Sequence, residues 1–291
     1  MRRYLMIFIV SVCMAAAYAG SGTDCGYVVM SDDMKADSAI AERIMEAAAA
    51  LPDGESVPLF IARRLIGVPY VGHTLDRDSV ERLVLNLREL DCITLVDNVV
   101  AMTRCVEEGR RTFADFVLML AKVRYRNGDV AYENRLHYYQ WWVMDNERMG
   151  LVKEINAPNP PFSAVQTLKI NYMSENSGSY DMLRGNSERV VAIKRLEDAT
   201  NGTKVCYIPK AGVVNTDLLR STIHDGDIIA IVTGKYNLDT AHLGFAVWHK
   251  DGLHLLNASS IHKKVVEEPM TLYRYLHRAN SRIGIRIAQV L

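Results

Sequence analysis

The sequence predicts an α+β fold. Three observations carry that expectation. Helix-period apolar patterning dominates the first half of the chain. The second half carries four apolar runs bounded by turn residues, at 227–233, 242–248, 253–258 and 284–288. Helices followed by a mostly antiparallel sheet is the pattern of an α+β domain. Composition agrees: 291 residues, 49% hydrophobic and 23% charged, describe a folded chain with ample length for a buried core. The 34 basic and 34 acidic side chains balance, which argues against a nucleic-acid binder driven by phosphate neutralisation.

In chain order, Arg2 and Arg3 precede an apolar run from Tyr4 to about Met14, and Ala17-Tyr18-Ala19 follows as a small-residue cleavage signal. This reads as a secretory signal peptide over 1–19; the run is shorter than the ~20 residues that span a bilayer. Cys13 follows Val12 and Cys25 follows Asp24, so neither has the small preceding residue that a lipid anchor needs. The expected mature chain is periplasmic or secreted, with no insertion in the membrane. Cys13 leaves with the peptide, and Cys25, Cys92, Cys105 and Cys206 remain in a disulfide-permissive compartment.

Helix start signals Ser31, Asp32 and Asp33 open a helix over about 31–50. A second is expected over 58–66, stopped by Gly67. The alternation of Leu83, Leu85 and Leu87 suggests a short strand. Asp91 is a good N-cap, and Leu95, Val96, Val99 and Val106 share a helical face with Cys92, which falls in the first turn. Two further helices are expected over 112–126 and 136–148; the paired aromatics Tyr138-Tyr139 and Trp141-Trp142 of the latter are read as core. Residues 20–57 form a helical extension and 58–291 the main domain.

Metal spacings, a P-loop and G-x-S-x-G are absent from the sequence, so no cofactor or metal is expected. The chemistry-bearing candidates are a cysteine at a helix start and a histidine at a strand start. Helix N-termini favour negative charge by typically ~0.3–1 kcal/mol, which displaces Cys92 toward thiolate. His242 can accept its proton and later protonate a leaving amine. The base needs a third group to orient its ring. A turn at 249–252 pairs Trp248 with Leu253, which makes His242 and Asn257 diagonal neighbours on one face. The Asn257 carbonyl oxygen is then expected to accept from Nδ1–H. A turn one residue shorter would exchange it for His254.

The segments Gly67-Val68-Pro69-Tyr70, Asp91-Cys92, Gly226-Asp227, His242-Leu243-Gly244-Phe245 and Asn257-Ala258-Ser259-Ser260 resemble, in that order, the NlpC/P60 superfamily of cell-wall cysteine peptidases. The runs 81–92, Arg135-Leu136-His137-Tyr138 and Tyr207-Ile208-Pro209-Lys210, with Leu238-Asp239 before His242, resemble its DUF1460 amidase branch. The resemblance implies a papain-like core, a helix bearing Cys92 packed on an antiparallel sheet bearing His242, with extra helices. It implies a metal-free amidase that cuts between N-acetylmuramic acid and L-alanine in peptidoglycan fragments, preferring 1,6-anhydro-muropeptides. Cys92, His242 and Asn257 would be catalytic. Tyr70, Asp91, Lys210, Asp239 and Ser259 would bind substrate. Relatives often carry histidine at the position of Asn257. The expected partner is the muropeptide alone, with the protein a monomer. Rival readings are an endopeptidase of the D-Glu–diamino-acid bond and an inactive cell-wall-binding module.

Overall fold

Caps and turns set the element boundaries in the computed structural model, which describes residues 8–9, 28–157 and 159–291. The signal-peptide expectation therefore lies almost wholly outside the described residues, as do Cys13 and Cys25. Strand β1 (Phe8–Ile9) pairs antiparallel with β2 (Val28–Met30), which pairs parallel with β3 (Leu83–Val84). Helix α1 (Met34–Ala48) starts where the Asp33 side chain accepts from the Ala36 amide. Helix α2 (Val57–Arg64) is capped by Ser56, has Pro58 in its first turn, and is followed by Gly67 at φ +92°, a left-handed turn that glycine adopts without strain. The alternation at 83–87 makes only the two-residue β3, because Leu85 bonds Met30 while the Leu87 amide is taken by the Asp37 carboxylate.

Helix α3 (Cys92–Glu107) and helix α4 (Phe113–Arg124) both open with a capping box, Asp91 with Thr94 and Thr112 with Asp115. The next helix, α5 (Tyr139–Arg148), starts three residues later than its sequence periodicity suggests. The chain at 136–138 is non-helical instead, since the Leu136 amide donates to Arg124 O and the Asp239 carboxylate supplies the cap at the Gln140 amide. A long-range cap of that kind leaves no local trace in the sequence.

The following stretch holds β4 (Val152–Ile155), β5 (Ala164–Thr167), α6 (Tyr172–Glu175), α7 (Ser187–Thr200), β6 (Lys204–Pro209) and α8 (Asp217–Thr222), which the sequence reading did not resolve. The reason is shallow burial. Helix α7 buries only Ile193 and Glu197, so its apolar period is faint. The four expected strands are present as β7 (Ile228–Thr233), β8 (Thr240–His249), β9 (Gly252–Ser259) and, after β10 (Lys264–Glu267) and α9 (Leu272–His277), β11 (Arg282–Val290).

These strands form an antiparallel sheet ordered β10-β9-β8-β7-β11-β6-β5, with β4 also on β11. Every residue of the central β7 is buried, because apolar layers cover both faces. One layer, from α1–α5, includes Leu95, Val99, Phe116 and Trp142 and meets Phe245 and Val247; the other, with α8 and α9, meets Ala246 and Leu255. The α+β expectation is thus met by a mixed helix and antiparallel-sheet fold. Helix α3 packs across β8 and β9, which carries its N-terminus to the start of β8. Among the described residues no helix is long and apolar enough to cross a membrane.

Candidate active site

Cys92 occupies the first turn of α3. Asp91 Oδ1 accepts from the Thr94 amide at 2.9 Å, and Thr94 Oγ1 accepts from the Asp91 amide at 2.8 Å. This closed cap fixes where the helix begins and hence where the thiol stands. Among the described residues Cys92, Cys105 and Cys206 are free thiols, and Cys92 is only partly buried. Across from it, β8 carries His242. An extra residue, Ala241, bulges between the pairs His242–Ile231 and Thr240–Val232, a device that re-aims side chains at a strand end. Both residues line one cleft of about 410 Å³, together with Leu243 of β8.

The expected β8–β9 register is present: Trp248 faces Leu253 and Phe245 faces Leu256. Continued by one residue it sets Gly244 against Asn257, where a Cβ on residue 244 would lie 2.5 Å from Leu256 O and 3.0 Å from Asn257 Cβ. Only glycine leaves β9 free to bring Asn257 this close. His242 Nε2 bonds Asn257 Oδ1 at 2.9 Å. The nitrogen differs from the sequence expectation: Nε2, not Nδ1, meets the amide, so Nδ1 is the nitrogen left for proton exchange. His254 is on the opposite face, held by Glu268 O at 2.8 Å and Asp251 Oδ1 at 3.0 Å.

Electrostatics correct a second expectation. Burial pushes the Cys92 thiol up to about 12, with the Asp91 carboxylate adding to the rise; the amides of Leu243, Ile93 and Cys92 itself oppose it. Desolvation at this site therefore outweighs the helix N-terminus, and the resting thiol is neutral rather than displaced to thiolate. Burial also lowers the His242 pKa, against the pull of its bond to Asn257; Arg282 lowers it further, while Glu268 and Asp91 raise it. The cleft thus favours a neutral thiol and a neutral imidazole.

The remaining predicted site residues separate. Tyr70 lines the cleft, in a loop stitched by its own amide to Lys263 O at 2.9 Å and by the Val71 amide to Leu90 O at 3.0 Å. Its hydroxyl pKa is raised by burial and then by Cys92 and Asp91, which line the same cleft. Asp91 also lines the cleft, but its carboxylate is engaged in the helix cap. Asp239 is buried among the cleft-lining residues, with one oxygen on the Gln140 amide and the other on the Thr240 amide, which makes it a helix and turn cap. Ser259 is buried and its hydroxyl accepts from the His262 amide. Lys210 follows β6, beyond β7 and β11 from His242, and is not part of the cleft wall.

Two groups escaped the sequence reading. Arg135 lines the cleft, pinned by Asp76 and Glu81 from the loop that follows Tyr70. Glu268 is buried behind Asn257 and bonds its amide nitrogen at 3.1 Å. The β9–β10 pairing could have revealed Glu268, since Val266 faces Asn257 and Glu268 lies two residues on, on the same face. Tyr138, Trp141 and Trp142 are buried as expected, each with its polar atom bonded, to Glu197, Thr200 and Asp97. Among the described residues no group of three or more His, Cys, Asp or Glu side chains is arranged to hold a metal ion.

Known proteins resemble this chain in sequence and in fold. The AmiA-like family model, described as N-acetylmuramoyl-L-alanine amidase-like, matches residues 60–285. An N-acetylmuramoyl-L-alanine amidase structure from Bacteroides uniformis is 38% identical with a TM-score of 0.74, covering 80% of this chain and 98% of that one. A Bacteroides fragilis structure carrying a provisional xylanase description is 36% identical with a TM-score of 0.73, covering 79% and 99%. A Legionella pneumophila structure assigned to DUF1460 is 22% identical with a TM-score of 0.67, covering 89% and 95%, and shares the fold. No curated protein matches significantly.

Proposed function

The chain belongs to the N-acetylmuramoyl-L-alanine amidase-like family, and from that premise we propose a cysteine amidase that cleaves the N-acetylmuramoyl–L-alanine bond of peptidoglycan fragments. The observation that carries the reading is the thiol of Cys92, at a helix N-terminus, sharing one cleft with a His242 ring oriented by Asn257. Cys92 Sγ attacks the amide carbonyl carbon as its proton passes to His242 Nδ1, so the neutral resting pair is ready to react without prior ionisation. The carbonyl oxygen becomes an oxyanion, which the Cys92 backbone N–H and the Tyr70 hydroxyl can stabilise. Collapse breaks the C–N bond, and His242 returns the proton to the leaving amine. Water then attacks the thioester, losing its proton to His242; the C–S bond breaks as His242 returns that proton to the sulfur, which releases the muramoyl acid and restores the free thiol.

Tyr70, Arg135, Tyr172, Met173 and Tyr180 line the cleft with Cys92 and His242, and the resemblance to the DUF1460 amidases supports a fragment such as a 1,6-anhydro-muropeptide as its substrate. The proposed organisation is a signal peptide over 1–19, an extension over 20–57 and a papain-like NlpC/P60 catalytic domain over 58–291, acting in the periplasm or outside the cell as a monomer. A glycosidase is poorly supported, because it needs two carboxyl groups free to face the bond. The carboxylates along this cleft are engaged: Asp76 by Arg135, Asp91 by the helix cap, Asp97 by Arg124 and Trp142, and Asp239 by two amides.

Acid quenching during turnover tests the covalent route. Intact-mass analysis is expected to find a fraction of the enzyme carrying the muramoyl acyl group, with peptide mapping locating it at Cys92. Rapid peptide release with acyl-free Cys92 at every time point, under conditions where hydroxylamine diverts no product, would overturn it.

A further inference from the structure

Asn257 faces two partners at once. Its Oδ1 accepts from His242 Nε2 at 2.9 Å, and its Nδ2 donates to Glu268 Oε1 at 3.1 Å. Sheet register produces this line. Gly244 of β8 and Val266 of β10 lie opposite Asn257 from the two sides, and His242 and Glu268 are each two residues along from them. The three side chains therefore occupy diagonal positions on one sheet face. Asn257 is fully buried and Glu268 is 3% exposed, so water does not compete for either amide end.

An amide has one donor end and one acceptor end, whereas an ionised carboxylate only accepts. With Glu268 on one side, Nδ2 must point toward it and Oδ1 toward the ring. The reversed amide would set Oδ1 against the carboxylate and leave two acceptors facing each other. Facing an oxygen, the ring must carry its proton on Nε2, which leaves Nδ1 unprotonated and able to take the proton of a thiol. Glu268 is itself immobilised: its amide donates to Leu255 O at 2.8 Å, its carbonyl takes His254 Nδ1 at 2.8 Å, and Oε2 meets His262 Nε2 at 3.3 Å.

We propose that Glu268 is a positioning residue for His242, selecting through the Asn257 amide which ring nitrogen carries the proton. The proposal rests on the reading of His242 as the base for Cys92. It also gives a reason for asparagine at 257: an aspartate there would oppose Glu268, and an amide alone satisfies both neighbours.

The test uses the full chain and two readouts: amide hydrolysis, and alkylation of Cys92 by iodoacetamide, which needs no muropeptide. Glu268→Met keeps the volume and removes the acceptor. It is expected to lower kcat and the alkylation rate about tenfold with KM unchanged, since the base function it weakens is worth 10²–10⁴. Glu268→Gln can still offer an oxygen to Asn257 and is expected to recover all but about threefold of both. In an Asn257→Ala background Glu268→Met is expected to add no further loss, because the coupling runs through the amide. The ring ¹⁵N spectrum of the wild type is expected to show the Nε2–H form for His242. An Nδ1–H ring in the wild type overturns the proposal whether or not any variant folds. A folded Glu268→Met protein with wild-type kcat, or the same loss in the Asn257→Ala background, also overturns it. His242→Ala separates the two levels: if it leaves Cys92 alkylation unchanged, the base reading fails and the proposal with it. If His242→Ala slows alkylation and Glu268→Met does not, the Glu268 role alone fails.

Discussion

Replacing Cys92 with alanine is expected to reduce amide hydrolysis on the order of 10⁴- to 10⁶-fold, the range seen when a covalent nucleophile is removed from a site whose groups act as a unit. The loss falls on kcat, because the thiol forms its bond only during the reaction, and substrate binding stays near wild type. Stability should barely change. The Asp91–Thr94 cap that starts α3 uses neither the Cys92 side chain nor its amide, and alanine is the strongest helix former. Initial rates on a muropeptide, together with a thermal melt, check both halves of the expectation. A variant that retains a tenth of the activity would remove Cys92 from the chemistry.

The second large effect is on stability and originates one helical turn and a half deeper. Asp97 of α3 accepts from Arg124 Nε of α4 at 2.8 Å and from Trp142 Nε1 of α5 at 3.0 Å, and all three residues are buried. Arg124 also donates to Val84 O, so one carboxylate ties three helices and β3 together. Burial raises the Asp97 pKa, and Arg124 opposes that rise, so the ion pair stands against a real desolvation cost. Asp97→Ala strands a buried guanidinium and an indole N–H. A loss of about 3–5 kcal/mol in unfolding free energy is expected. Urea denaturation with an unchanged m value measures it, and a loss under about 1 kcal/mol would mean that the pair is solvated. Because the network lies beneath α3, the same variant should also lower activity at temperatures where it remains folded.

The parts of this fold that were legible in the sequence are those whose signals are local. Asp91 and Thr94, three residues apart, set the start of α3. The strict parity of the β8–β9 hairpin placed Asn257, rather than His254, beside His242. The parts that were not legible depend on distant partners. Helix α5 begins late because its cap, Asp239, is about a hundred residues away in sequence. Helix α7 is faint because its exposed faces carry little apolar pattern. In the site, a helix N-terminus suggested a thiolate, but the depth of the cleft decides the balance, and burial makes the thiol neutral. Which ring nitrogen meets Asn257 likewise follows from the ring's rotation, which the spacing of residues does not encode. Asp239 and Ser259 match the family pattern and are also engaged in the scaffold, by the Gln140 and Thr240 amides and by the His262 amide, which their place in a motif does not encode.

The most direct test of the account is the mass of the products released from a purified 1,6-anhydro-muropeptide. Wild-type enzyme is expected to yield free anhydro-N-acetylmuramic acid and the intact stem peptide beginning with L-alanine, and Cys92→Ala to yield neither. Release of a muramyl dipeptide with a shortened stem would instead identify cleavage at the D-Glu–diamino-acid bond, and equal release of the stem peptide by both proteins would contradict the cysteine mechanism.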